Sequence, residues 1–259
     1  MHKTTSNILL LSLLTVLLNP ASASIIAEDT FDTYPDGPLA GQDGGDGWGG
    51  AWGSGNLQVS SGHLIDSPTN INSYSQSRVF SEATTTGSTM YFSMYVNITS
   101  PEGDNTYVTR LSFGSSADPD GFGFFGIVNG EYRVDVGGYT NAGSYTLGET
   151  VLLVCKLEFD VSGTDDRLTL WVNPDTTEAG STSTVSRTAA SSTGATSIEA
   201  IEFDYANMDG VLVIDDLRIG TTWDDVVTVP ETSSFALFAG GIGVLLIGSQ
   251  RLRNHSKPR

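Results

Sequence analysis

Two runs of the chain place carboxylates two residues apart, Glu158-Phe159-Asp160 and Glu202-Phe203-Asp204. In an extended strand that spacing puts both acids on one face, and paired carboxylates are what glycoside hydrolysis requires. Five residues beyond each Glu stand Gly163 and Asn207, so neither run supplies a second Glu, and both pairs read as ordinary strand residues. Nucleophilic catalysis of the Ser-His-Asp or Cys-His kind needs a histidine. Apart from His2 and His255 near the two ends, the chain has only His63, beside a turn in "SSGHLID". One His and one Cys cannot build a tetrahedral zinc site either. The single cysteine, Cys155, sits in "VLLVCKLEF", cannot form an intrachain disulfide, and reads as a small core hydrophobe. The glycines of "GQDGGDGWGG" lack the Lys of a phosphate-binding loop and read as turns.

Aromatic side chains could stack on sugar rings, and Trp48, Trp52, Trp171 and Trp223 are the candidates. Trp171 alternates away from Leu168, Leu170 and Val172, so it leaves the main core for the other face, either as a glycan contact or packed beneath a loop. Trp48 and Trp52, set among glycines, are expected to pin an N-terminal loop to the body of the fold.

The elements that must position these residues are strands. In "STMYFSMYVNIT" Met90, Phe92, Met94, Val96 and Ile98 share one face, while Tyr91, Ser93, Tyr95 and Asn97 share the other. The same period of two recurs in "NTYVTRLSF", "EYRVDV" and "RLTLWV", with "VLLVCKLEF" and "VLVIDDLRIG" as further strands. No amphipathic helix separates them, so an all-β antiparallel sandwich is expected. The Ser/Thr-rich stretch over residues 176–198 lacks aromatics and reads as a long loop tending to disorder. In "VLVIDDLRIG" strict alternation turns Val211, Val213, Asp215, Leu217 and Ile219 inward, which makes Asp215 a candidate buried carboxylate.

The ends give an address. Lys3, an apolar run over residues 8–18, Asn19-Pro20 and the small residues Ala21 and Ala23 form a secretory signal peptide over residues 1–23, which routes the chain through the Sec export machinery. Of 30 acidic residues all but Glu231 fall within residues 24–229, against seven of the 12 basic ones. Such a surface repels nucleic acid and suits divalent cations and neutral glycans. From residue 232 to 250 no charge occurs, enough as a helix for roughly 28 Å against a bilayer core of about 30 Å. Arg251, Arg253, Lys257 and Arg259 follow at once and hold the C-terminus on the cytoplasmic side.

This tripartite end, Val229-Pro230-Glu231-Thr232, a helix over about 233–249 and the basic tail, resembles the PEP-CTERM sorting signal of Gram-negative bacteria, with Thr232 in place of a second Pro. The resemblance implies recognition near Pro230 and Glu231 by an exosortase-type membrane transpeptidase and delivery, from a transient single-pass inner-membrane intermediate, to the cell surface or extracellular matrix. A simple tail anchor is the alternative. Residues 24–226 resemble LamG-like, concanavalin-type jelly rolls through "TFDTYPDGPLAGQDGGDGWGGAW", "GTDDRLTLWVNP" and "VIDDLRIGTTWDDV". Retaining hydrolases of that fold carry Glu-x-Asp-x-x-Glu, which Gly163 and Asn207 interrupt. Such jelly rolls often join first and last strands around a structural Ca²⁺, which here implies Glu28, Asp29, Asp32 and Asp215 as ligands. The resulting expectation is an exported, non-enzymatic surface or matrix protein; the alternatives are a glycan-binding lectin on the same scaffold and, more remotely, a glycoside hydrolase.

Overall fold

The computed structural model describes residues 25–66, 74–85, 89–99, 108–190, 197–206 and 212–227. The leader, the motif residues 229–232, the expected span and the basic tail lie outside them. Among the described residues no helix is long and apolar enough to cross a membrane.

Among the described residues fifteen strands carry the fold: β1 Ile25–Asp29, β2 Gly37–Pro38, β3 Gln58–Ser60, β4 His63–Ile65, β5 Tyr74–Thr85, β6 Thr89–Ile98, β7 Val108–Ser115, β8 Asp118–Val128, β9 Glu131–Val136, β10 Tyr139–Ser144, β11 Val151–Ser162, β12 Asp165–Val172, β13 Val185–Ala190, β14 Ser197–Ala206 and β15 Leu212–Gly220. A short helix, α1 (Trp223–Val226), follows the last of them. All pairings are antiparallel. One sheet runs β13-β12-β11-β6-β15-β4-β3-β2 with β1 also paired to β15, and the other runs β10-β9-β8-β7-β14-β5.

In β6 the inward face read from alternation is the face observed. Met90, Phe92, Met94, Val96 and Ile98 of β6 meet Leu111 and Phe113 of β7 between the sheets, with Phe92 stacked on Phe113 at 4.8 Å. Cys155 lies in this core, and burial pushes its thiol up. A second, smaller cluster lies outside the nine-stranded sheet, where α1 brings Trp223, Val226 and Val227 down on Tyr91, Val154 and Trp171.

The Ser/Thr-rich stretch is a correction to the expected disorder. Residues 185–190 form β13, paired with β12 from Asp165↔Ala190 to Leu170↔Val185. A 3-10 turn over Glu178–Gly180 precedes it, with Thr177 Oγ1 accepting the Gly180 N–H. The segment is held by specific polar contacts instead of apolar bulk: Glu178 accepts from Tyr91 Oη at 2.7 Å and Lys156 Nζ at 2.8 Å, and Trp223 Nε1 donates to the Thr176 carbonyl. Arg187 of β13 donates to the carbonyls of Val136 and Gly137, which ties the edge of one sheet to the other at the β9–β10 turn.

The opposite edge is closed by the glycine-rich loop over residues 41–53. It makes single bridges Glu28↔Asp46 and Trp48↔Phe80, one to each sheet. Only glycine fits at Gly47, whose φ is +81° and where a Cβ would collide with the Ile26 carbonyl. Trp52 stacks on Phe203 at 5.6 Å, and Trp48 on Phe80 at 5.6 Å, so both indoles pin the loop as expected.

Candidate functional site

The outer face of the six-stranded sheet carries two rows of facing residues. In β14 the inward positions are Ile201, Phe203 and Tyr205, so Glu202 and Asp204 point out. Strand register extends them sideways. Glu202 lies opposite Ser77 on one side and Ser112 on the other, and the row continues through Phe124 and Asp135 to Tyr139. Asp204 lies opposite Ser75 and Arg110, and its row runs through Gly126 and Arg133 to Asn141.

Asp204 is the best-held member. Arg110 Nε donates to its Oδ2 at 3.0 Å, and Ser112 Oγ donates to the same oxygen. The Arg110 Cζ lies over the Phe124 ring, 4.3 Å from its centroid, which holds the cation between carboxylate and ring. At the far edge Arg133 repeats the device, 4.4 Å over Tyr139 and bonded to Asn141, which in turn donates to Glu131. The face thus presents planar carboxylate, guanidinium and amide groups beside aromatic rings.

Asp120, at the start of β8, completes the centre. Oxygens of Asp120, Glu202 and Asp204 all lie within 4.8 Å of one another. Burial first, and then the negative charge of Asp204 and Asp120, push the Glu202 carboxyl from its ordinary 4.5 to about 7, against the opposing hydrogen bond from Ser75. Near neutral pH Glu202 therefore serves as hydrogen-bond donor and acceptor in turn. The sequence offered Glu202 and Asp204 as a half-motif; Asp120, more than eighty residues earlier, becomes their neighbour only through the β8–β7–β14 order.

The other half-motif stays structural. Glu158 accepts from Nε and Nη2 of Arg167, both at 2.8 Å, and this bidentate pair holds its carboxyl below the ordinary range. Asp160 stands apart at a positive φ of 51°.

The expected calcium ligands do not converge, and the reading is corrected. Asp29 is 1% exposed and already neutralised by Arg78, while Asp32 is exposed on the surface. Glu28 faces Arg218 at 3.8 Å. Asp215 points outward. Strand β15 carries one extra residue relative to β6 between Asp215↔Tyr95 and Arg218↔Ser93, and Asp216 takes a φ of 50°. That bulge inverts the alternation, so Leu212 and Ile214 face in before it and Leu217 and Ile219 after it. Asp215 instead accepts from His63 Nδ1 at 3.0 Å, and burial pushes its carboxyl up.

Trp171 is also corrected as a glycan contact. It does leave the main core, but it is 5% exposed beneath α1, edge-on to Trp223 at 5.2 Å. A sugar ring has no access to its face while α1 is docked.

No protein-family model matches the chain. No curated protein sequence matches it. Among solved structures it is similar to lectin UEA-II complexed with galactose, at 11% identity and a TM-score of 0.46 over 76% of this chain and 98% of that one. It is similar also to a lectin from Bauhinia forficata in complex with GalNAc (11%, TM-score 0.46, 66% and 92%) and to a Trypanosoma rangeli sialidase in complex with sialic acid (10%, TM-score 0.46, 78% and 32%).

Proposed function

We propose that the chain binds carbohydrate on the outer face of its six-stranded sheet, with Asp204, Glu202 and Asp120 at the centre of the site. The observation that carries this is the paired rows across β5, β14, β7, β8, β9 and β10, in which an outward carboxylate held by Arg110 and Ser112 lies next to ring-stacked guanidinium groups. Vicinal hydroxyls bond planar polar groups two at a time, and the C–H faces of sugars pack on rings such as Tyr139, which is 62% exposed. An acidic face of this kind favours neutral over anionic glycans.

Binding without hydrolysis fits the geometry better. Oxygens of Glu202 and Asp204 lie within 4.8 Å of one another, whereas carboxyl groups that flank a scissile bond stand about 5–5.5 Å apart in retaining enzymes and about 6.5–9.5 Å in inverting ones. The same three acids are, among the described residues, the group that could hold a hard cation. Ca²⁺ takes about six to eight oxygens, so three carboxylates would leave positions for sugar hydroxyls. A bound Ca²⁺ would also relieve the repulsion that raises Glu202.

Support for export comes from the sequence: the leader at residues 1–23 and the ordered Pro-Glu, apolar and basic segments over 227–259. On this reading the sandwich is displayed at the surface or in the matrix of a Gram-negative cell.

A glycan array with the full chain tests the assignment. Reproducible binding to neutral glycans, abolished in Asp204→Asn and kept in Glu158→Gln, is the expected result. Binding unchanged by Asp204→Asn would overturn it. Release of reducing sugar from a bound glycan would instead make the chain a hydrolase.

A further inference from the structure

The outer face of the six-stranded sheet repeats one device at two places. On β7, Arg110 donates from Nε to Asp204 of β14, and its Cζ lies 4.3 Å from the ring centroid of Phe124 on β8. On β9, Arg133 donates from Nε to Asn141 of β10, and its Cζ lies 4.4 Å from the ring centroid of Tyr139, also on β10. In each, the cation is tied at Nε and seated on a ring. The four N–H groups of Nη1 and Nη2 have no hydrogen-bond partner among the described residues.

Register sets the spacing of the two devices. Arg110, Gly126 and Arg133 stand opposite one another across β7, β8 and β9, and Phe124, Asp135 and Tyr139 do so across β8, β9 and β10. The two arginines, and likewise the two rings, are therefore two strands apart, roughly 9.6 Å at about 4.8 Å per strand. Gly126 leaves a gap between the arginines, and the backbone enforces it, since a Cβ there would collide with the Thr109 carbonyl. The far ring is 62% exposed and adds little to the core. It is nonetheless held: Arg133 lies on it, bonded to Asn141, which donates to Glu131 at 2.6 Å. An exposed ring fixed in this way is a preformed platform, with its ordering cost already met within the fold.

We propose that this face takes a linear, unbranched, β-1,4-linked chain of neutral hexopyranose units, laid across the strands from Asp204 and Glu202 on β14 to Tyr139 on β10. The inference rests on the carbohydrate reading and gives it a ligand class. Four strand spacings, roughly 19 Å, accommodate about four units of an extended chain, one to each strand crossed. Successive units of a β-1,4 chain are turned over, so every second unit presents the same edge. The face offers the same arginine and ring at every second strand. An α-1,4 chain curls into a helix and has no such period. Carboxylates outnumber the two arginines here, which favours a chain without charge.

Calorimetric titration of the full chain with β-1,4-linked oligomers of glucose, mannose and N-acetylglucosamine, each as dimer and tetramer, and with the α-1,4-linked glucose tetramer tests the class. At least one β-1,4 series should bind, its tetramer about tenfold more tightly than its dimer, the value of one further ring contact with its charged hydrogen bond. The α-1,4 tetramer should bind no better than a dimer. Tyr139→Ala should bring the β-1,4 tetramer down to the affinity of the dimer; the ring is exposed, so the fold is kept. Glu158→Gln, on the other sheet, should leave tetramer binding unchanged. Equal affinity of dimer and tetramer, equal binding of the α-1,4 and β-1,4 tetramers, full affinity in Tyr139→Ala, or no binding of any β-1,4 oligomer would overturn the linear chain. Another glycan whose binding Asp204→Asn abolishes would in that event leave the carbohydrate reading standing.

Discussion

Arg78 Nη1 lies 2.9 Å from Asp29 Oδ2, with both side chains 1% exposed. This ion pair sits inside the sandwich at the β5 edge and organises the glycine-rich loop above it. Asp29 also accepts from Tyr34 Oη at 2.6 Å, Trp52 Nε1 at 3.0 Å and the Phe31 N–H at 3.1 Å. Arg78 reaches the Gly50 carbonyl and Asp43 besides, and its guanidinium lies 4.8 Å from the Trp48 ring. Burial pushes the Asp29 carboxyl up against the pull of these donors. Removing one partner leaves the other charged and buried, so Arg78→Met should destabilise the fold by about 3–5 kcal/mol. Urea unfolding of the full chain measures it; a loss of under about 1 kcal/mol would mean that the pair is dispensable.

Trp171→Ala gives the next test, because its consequence separates packing from recognition. The indole fills the cluster under α1 with Trp223 and Val226, so the variant should lose about 3–5 kcal/mol of stability while any glycan affinity is kept. A stable variant that no longer binds glycan would restore Trp171 as a contact residue.

The legible part of the fold was the part that repeats. Alternation in β6, β9 and β12 gave the correct inward faces because those strands run without an inserted residue over the stretches read. In β15 the same rule held for Leu217 and Ile219 and failed for Val213 and Asp215, on the other side of the bulge, and with Asp215 went the calcium reading. Tyr91 and Ser93 of β6 also mislead: they occupy the expected outward face yet are buried, since Ser93 Oγ donates to the Val226 carbonyl under α1. Arg78 carries no local signal in "YSQSRVF", for its partner lies 49 residues away. The same holds for Asp120, whose role depends on strand order and not on spacing.

Glu202 should leave a signature in the pH dependence of stability. Its folded value of about 7 exceeds the ordinary 4.5, so the folded chain holds a proton that the unfolded chain releases between those values. Stability should therefore fall as pH rises from about 4.5 to about 7, and Glu202→Gln should flatten that decline. Melting curves across this window decide it. An identical decline in the Gln variant would show that another group is responsible.

The address segments make a chemical prediction of their own. If the C-terminal signal is processed, the mass of protein recovered from the surface of the native host should end near Pro230 and Glu231, without Arg251, Arg253, Lys257 and Arg259. An intact Arg259 would leave a tail anchor.

The central claim is that carbohydrate lies across β14, β7 and β8, and hydrogen exchange of the full chain, with and without the tightest glycan from the array, tests it most directly. Backbone amides on the face of Glu202, Asp204, Ser112 and Phe124 should exchange more slowly in the complex, with β11, β12 and α1 unchanged. Protection confined to the nine-stranded sheet, or no glycan that protects any strand, would contradict the account.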